Sequence, residues 1–180
     1  FTWTSGVKSP IYCDNRLIMS FPEVRKKIVN AFTQMIEMKK WKPDVVAGCA
    51  TAGIPHAAWL SEALNLPMVY VRSKPKSHGK ENQIEGIVKE GQRVLVIEDL
   101  ISTGGSSIQA AQALEHSGAE VIGILAIFSY GLKRADENFK EAGFAYDTIT
   151  GFDPLLDALV TQGQLTDDEK QKMLSWRDSL

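Results

Sequence analysis

Two acidic residues stand between a short apolar run and a turn of small, hydroxyl-bearing residues in the segment from 93 to 106. Val94–Ile97 has the length and β-branched content of a strand buried on both faces of a parallel sheet. Glu98 and Asp99 are therefore predicted at its C-terminal end, where open α/β sheets bind their ligands. The next turn, Ser102–Ser106, precedes a helical pattern, so its N–H groups and hydroxyls can surround an anion. Acids beside an anion site predict a phosphorylated sugar; an ordinary turn with surface acids is the alternative.

A second turn of this kind lies in Gly48–Pro55, where a predicted strand ends and a helix begins at Pro55. It would bring further backbone donors to the same edge of the sheet, and it therefore predicts a second anion site beside the first. The alternative is a tight strand-to-helix turn whose glycines serve geometry alone.

Positive charge is concentrated in one loop. Four cationic side chains and a histidine occur within nine residues, namely Arg72, Lys74, Lys76, His78 and Lys80. Such a loop is usually a solvated surface. A pyrophosphate, however, carries several negative charges, and the chain has no comparable cluster elsewhere. Because Pro75 restricts the loop while Gly79 and Gly86 allow hinge motion, we expect a lid that closes over a leaving group.

The elements that must position these residues alternate along the chain. Helices are predicted over about 21–40, 54–64, 105–116 and 132–142, and strands over 45–49, 68–71, 93–98, 121–128 and 145–150. Two shorter helices follow, one opened by Asp153-Pro154 and one capped at Thr166, and Ser20 with Glu23 predicts a capping box for the first helix. This order predicts one α/β domain over residues 1–180, with a parallel sheet and helices on both faces.

Composition narrows the class of protein. With 180 residues, 44% of them hydrophobic, the chain can bury one substantial core. A net charge of −2 argues against a general nucleic-acid binder, and no apolar run approaches the length of a membrane span. Cys13 and Cys49 form neither a disulfide framework nor a metal-ligand spacing, which predicts a reducing, cytoplasmic setting. Because the chain begins with Phe1, we expect that an N-terminal helix is missing.

The stretch Val94–Ser106 resembles the motif by which type I phosphoribosyltransferases bind 5-phospho-α-D-ribosyl 1-diphosphate (PRPP): four apolar residues, two acids, two apolar residues and a Ser/Thr/Gly loop. The resemblance implies that family's α/β fold, with a central, mostly parallel sheet flanked by helices, a small N-terminal hood and a flexible catalytic loop. It also implies PRPP contacts from the residues of the motif, which are Glu98, Asp99, Leu100, Ile101, Ser102, Thr103, Gly104, Gly105 and Ser106.

Two other stretches resemble the orotate branch of that family. Residues 1–10 match the pattern Phe-Thr-x-x-Ser-Gly-x-x-Ser-Pro, which lies over the base in orotate phosphoribosyltransferases. Arg72, Lys76 and His78 stand where that branch has the arginine, lysine and histidine of its catalytic loop. The resemblance implies that these three residues bind PRPP and act in catalysis with Asp99, that Ser102 contacts orotate, and that the loop reaches into the partner's site in a homodimer.

Some lysines of that branch are replaced in this chain. The positions concerned are Thr4, Ala52 and Ser73, which leaves Lys8 and Lys74 as candidate substitutes for the first and the last. Without a lysine at Ala52, pyrophosphate would have to be bound there mainly by backbone groups.

The resemblance implies a transfer of ribose 5-phosphate from PRPP to orotate that depends on Mg²⁺, with the ion bound mainly through PRPP, pyrophosphate and water rather than by protein ligands. Two alternatives stay open. A purine phosphoribosyltransferase would share the PRPP motif but not the match over residues 1–10. A regulatory protein that senses PRPP without catalysis would need a basic surface or a DNA-binding module, and the sequence contains neither.

Overall fold

The computed structural model describes Phe1, residues 9–74 and residues 83–180. The described helices are α1 (Pro22–Met38), α2 (Gly53–Leu64), α3 (Gly105–His116), α4 (Lys133–Ala142), α5 (Phe152–Thr161) and α6 (Asp167–Asp178), with a 3-10 turn at Asn15–Ser20. The described strands are β1 (Val45–Cys49), β2 (Met68–Val71), β3 (Ile84–Glu85), β4 (Arg93–Ile101), β5 (Glu120–Ser129) and β6 (Tyr146–Gly151).

These strands form one sheet in the order β3-β2-β1-β4-β5-β6. β2, β1, β4, β5 and β6 run parallel to one another. The two-residue β3 pairs antiparallel with β2. The predicted α/β class with a mostly parallel sheet is confirmed. The chain moves outward from β1 to β2 on one side and resumes with β4 on the other, so the strand order reverses between β1 and β4. Ligands of open α/β sheets bind beyond the carboxyl ends of the strands at such a reversal.

Alternate side chains of each central strand pack on opposite faces of the sheet, which is the period expected of β structure. On one face, Val94 and Val96 lie in a core with α3 and α4; on the other, Leu95 and Ile97 pack with α1 and α2. A third cluster holds α5 and α6 against the end of β5 through Phe152. The described residues contain no helix with both the length and the apolar content to cross a membrane.

Two local predictions were wrong. Ser20 does not cap α1, because it ends the 3-10 turn and Phe21 takes the cap position without a side-chain hydrogen bond. The strand predicted over 93–98 continues to Ile101, since its ladder with β5 extends to the pair Ile101 and Ser129. The acids therefore lie within the paired strand rather than beyond it. The sequence also did not predict β3, which has only two residues.

Candidate active site

A cavity of about 430 Å³ opens where the strand order reverses. One wall is residues 50–52, which follow β1, and a second is the acid motif with Ser102 and Ser106. The third wall consists of residues 12–16 together with Tyr130. The cavity thus has the position that the fold predicts for a ligand, and it brings the predicted acids and the predicted anion turn to one place.

The turn after β4 is shaped by Gly104. Its φ is +81°, in the left-handed region, and a Cβ added there would lie 2.5 Å from the Phe139 ring of α4. Asn138 Nδ2 donates to the carbonyl of Thr103 at 2.9 Å, and the buried Ser107 hydroxyl donates to the carbonyl of Gly104 at 3.1 Å. α3 begins at Gly105 without a side-chain cap, so N–H groups of its first turn remain available to an anion.

Glu98 is 5% exposed, although it lines the cavity. Its Oε2 accepts from the Ser106 hydroxyl at 3.0 Å, and its Oε1 accepts from the backbone N–H of Asp99 at 3.1 Å. Burial, reinforced by the neighbouring Asp99 charge, raises the pKa of Glu98 to about 8. Glu98 can therefore carry a proton near neutral pH, whereas Asp99 is only partly buried and meets the cavity.

The turn between β1 and α2 is closely packed. A Cβ at Gly48 would lie 2.9 Å from Ile54 Cα, and one at Gly53 would lie 2.4 Å from the carbonyl oxygen of Ile97. These two glycines are required for the approach of α2 to the sheet, whatever else the turn does. The peptide bond between Ala50 and Thr51 is cis. Thr51 is exposed and lines the cavity. A second anion site in this turn stays a prediction.

Sequence reasoning did not assign the third wall. Asn15 is buried and donates through Nδ2 to the carbonyl of Asp99 at 2.8 Å, and the backbone N–H of Cys13 donates to the Tyr130 hydroxyl at 3.1 Å. Arg16 is the one cation among the described residues of the cavity wall, and it forms an ion pair with Asp14 at 2.7 Å. Asn15 and Asp99 are 84 residues apart, and Cys13 and Tyr130 are 117 residues apart, so no local spacing indicated these contacts.

Arg72 lies apart from the acids. Its guanidinium contacts Glu85 of β3 at 3.5 Å. Its backbone N–H donates to the carbonyl of Gln83, and its carbonyl accepts from the Gln83 side-chain Nε2, both at 2.8 Å. It is not among the described residues that line the cavity. The structure therefore does not bring Arg72 together with Asp99. Lys76 and His78, the other predicted members of the catalytic loop, lie outside the described residues, as do Thr4 and Lys8.

Neither cysteine is paired. Cys49, at the end of β1, is buried, and burial followed by the Glu98 charge raises the pKa of its thiol. Burial and the Asp99 charge raise the pKa of Cys13 to about 11. Both thiols are thus protonated at neutral pH and unsuited to nucleophilic chemistry.

Comparison with known proteins identifies the family. Residues 20–150 match the model of the phosphoribosyl transferase domain. The whole chain is 62% identical over 180 residues to an orotate phosphoribosyltransferase of Oceanobacillus iheyensis, of which it covers 89%. The chain belongs to the orotate phosphoribosyltransferase family. This relationship favours the orotate branch over the purine enzymes and over a regulator without catalysis.

Solved structures of the family have the same fold. An orotate phosphoribosyltransferase from Aeropyrum pernix, 28% identical, superposes with a TM-score of 0.80 over 89% of this chain and 90% of its own. The Mycobacterium tuberculosis H37Rv enzyme in complex with PRPP is 27% identical and gives a TM-score of 0.68 over 84% of this chain and 86% of its own. The type I phosphoribosyltransferase fold predicted from the motif is thereby confirmed.

Proposed function

We propose that this protein transfers ribose 5-phosphate from PRPP to orotate and releases orotidine 5′-monophosphate and pyrophosphate, a step of pyrimidine synthesis. The observation that carries the proposal is the cavity at the strand-order reversal, where the two acids adjoin an uncapped helix start. Membership of the orotate phosphoribosyltransferase family supports orotate as the acceptor.

The donor would lie across the motif. Ser102–Ser106 would hold the 5′-phosphate at the start of α3 through backbone N–H groups and the hydroxyls of Ser102, Thr103 and Ser106. Leu100 and Ile101 would also contact PRPP. Carboxyl oxygens of Glu98 and Asp99 would accept from the ribose hydroxyls, and Ser102 would also contact orotate. That both acids and Ser102 line one cavity supports this arrangement.

Breaking the anomeric C–O bond places positive charge on the ribose and negative charge on the departing pyrophosphate. Asp99 would stabilise the cationic sugar, while Arg72, Lys76 and His78 would stabilise the leaving group. For Arg72 this requires that its guanidinium exchange Glu85 for the pyrophosphate, a small cost for a partly exposed pair 3.5 Å apart.

We expect Mg²⁺ to be held by the substrate rather than by protein ligands. Mg²⁺ commonly keeps several waters and binds through substrate phosphates, so PRPP oxygens and water would supply most of its shell. When bound, the ion would neutralise charge on the pyrophosphate.

We also place the protein in the cytoplasm as a homodimer that shares its sites. The proposal of shared sites comes from the resemblance of the loop at 72–80 to a loop that reaches the partner subunit. The position of Arg72 outside the cavity of its own subunit supports it.

The deciding experiment follows the ultraviolet absorbance of orotate after protein, PRPP and Mg²⁺ are mixed, with adenine, xanthine and uracil as parallel acceptors. We expect loss of the orotate signal together with release of pyrophosphate, and no reaction of the other bases. Consumption of another base would reassign the acceptor. Binding of PRPP without turnover would contradict the proposal and favour the regulatory alternative.

A further inference from the structure

Ser106 stands between two groups that compete for its single hydroxyl proton. Its side chain lies in the first turn of α3, where the helix start is uncapped and exposed. In the structure its hydroxyl donates to Glu98 Oε2 at 3.0 Å. A phosphate seated at the start of α3 would offer a stronger, doubly charged acceptor to the same hydroxyl.

The Glu98 carboxylate has few other donors, namely the backbone N–H of Asp99 and the Cys49 thiol. Its Oε1 is held by the backbone N–H of Asp99, and it is 5% exposed, so water cannot easily replace a lost hydrogen bond. The titratable groups that act on it are Asp99 on its own strand and Cys49 at the end of β1; Ser106 of α3 and Ala126, its partner on β5, do not titrate near neutral pH. Burial and Asp99 raise the pKa of Glu98, and the Ser106 hydroxyl lowers it.

We propose that Ser106 couples the phosphate site to Glu98, so that a bound 5′-phosphate takes the Ser106 hydroxyl and releases Glu98 Oε2 for another donor. This inference rests on the proposed use of the α3 start for the 5′-phosphate of the sugar donor. Released Oε2 can accept either a ribose hydroxyl or a proton from solvent. Ser106 is thus a positioning residue that makes the acceptor capacity of Glu98 depend on occupancy of the phosphate site.

The coupling has a thermodynamic signature. Loss of the Ser106 donor raises the pKa of Glu98, so filling the phosphate site near pH 8 draws a fraction of a proton onto the carboxylate. The uptake can be measured by titrating the full chain calorimetrically with inorganic phosphate, and separately with ribose 5-phosphate, in buffers of different ionisation enthalpy. Because each phosphate ligand also exchanges a proton of its own near neutral pH, the uptake by Glu98 is taken as the difference from Glu98→Gln with the same ligand. We expect this difference to be larger with inorganic phosphate, because with ribose 5-phosphate a ribose hydroxyl partly replaces the lost donor.

Variants identify the source of the proton. Ser106→Ala lacks the hydroxyl in both states, so its uptake should fall well below that of the wild type, leaving only the effect of the phosphate charge on Glu98. Its affinity for ribose 5-phosphate should fall about tenfold. Glu98→Gln should also lose the uptake, since it cannot titrate. Ser106→Thr should restore it. Ser117→Ala, at the far end of α3, should behave as wild type, because its hydroxyl bonds only the carbonyl of Leu114.

Wild-type uptake in Ser106→Ala would overturn the coupling, and unchanged uptake in Glu98→Gln would overturn the role of Glu98. An equal Glu98-dependent uptake with inorganic phosphate and with ribose 5-phosphate would overturn the replacement by a ribose hydroxyl. These binding measurements are separate from turnover, so absence of orotate consumption with the expected uptake would refute the proposed reaction and leave the coupling standing. Failure of the wild-type protein to bind ribose 5-phosphate would overturn both.

Discussion

Gly104 determines the shape of the turn that follows β4 in the site. Its positive φ and the nearby Phe139 ring both exclude a side chain. Gly104→Ala should lower the free energy of unfolding by about 2 kcal/mol, from backbone strain and overlap with the ring. Urea unfolding measures this, with Gly105→Ala as the control, because a Cβ there meets nothing within 4 Å. The control should change stability by less than about 1 kcal/mol; equal losses in the two variants would contradict the steric argument.

Glu98 sets the charge and makes stability depend on pH. Its pKa is about 8 in the folded protein, against 4.5 for an unperturbed glutamate. Between these values the unfolded chain releases a proton that the folded protein keeps, so stability falls as pH rises from about 4.5 to 8 and is level beyond. Glu98→Gln should remove this decline. The gain in stability of this variant relative to the wild type should therefore be largest at pH 8. Urea midpoints at pH 5 and pH 8 test this, and parallel declines in the two proteins would refute it.

The sequence predicted part of this site at the residue scale. Glu98, Asp99, Ser102 and Ser106 could be assigned because they lie in one short segment at the end of a recognisable strand. The buried Asn15 was not, since its role depends on a contact with the carbonyl of Asp99 that no local pattern encodes. The state of Glu98 was equally hidden, because burial and a neighbouring charge, rather than residue type, fix its pKa.

At the scale of elements, one ion pair joins the start of β4 to the start of β1. Asp44 and Arg93 are connected by two side-chain hydrogen bonds of 2.9 and 3.0 Å, and their backbones also pair. Hydrogen bonding to Arg93 lowers the pKa of Asp44 to about 2. The stability it contributes is present above the unperturbed pKa of 3.8 and is lost as pH falls toward 2.

Asp44→Asn should therefore reduce stability at pH 7 and flatten the loss of stability between pH 4 and pH 2. Acid titration of the urea midpoint measures both effects. Glu141→Gln, on an exposed position of α4, is the control and should follow the wild type. A variant as stable as wild type at pH 7, with an equally steep acid decline, would count against this role for the pair.

Most elements were predictable because hydrophobic periodicity and turn residues agree along the chain. α3 was predicted at its observed bounds, and β1 and β2 likewise. The errors occurred where tertiary structure decides. β4 gains its last residues from pairing with β5, and the cap of α1 moved because a 3-10 turn occupies residues 15–20. A two-residue strand such as β3 has no periodicity to detect.

At the scale of the whole molecule, the proposed sharing of sites predicts complementation. Lys76→Ala and Asp99→Asn should each be nearly inactive alone. Random mixing makes about half of the dimers mixed, each with one intact site of two, so activity should recover to about a quarter of wild type. Steady-state assays of denatured and refolded mixtures measure this, with each variant refolded alone as the control. No recovery in verified mixed dimers would exclude a loop that acts in the partner subunit.

The third wall of the cavity also bears on how the chain acquires its shape during translation. Cys13 and Asn15 find their partners 117 and 84 residues further along, at Tyr130 and Asp99. At ribosomal rates of about 5–20 residues per second, Cys13 leaves the exit tunnel on the order of ten seconds before Tyr130 does. A nascent chain arrested before residue 130 would therefore carry the phosphate turn but an open cavity, and the complete cavity wall would be among the last features to form.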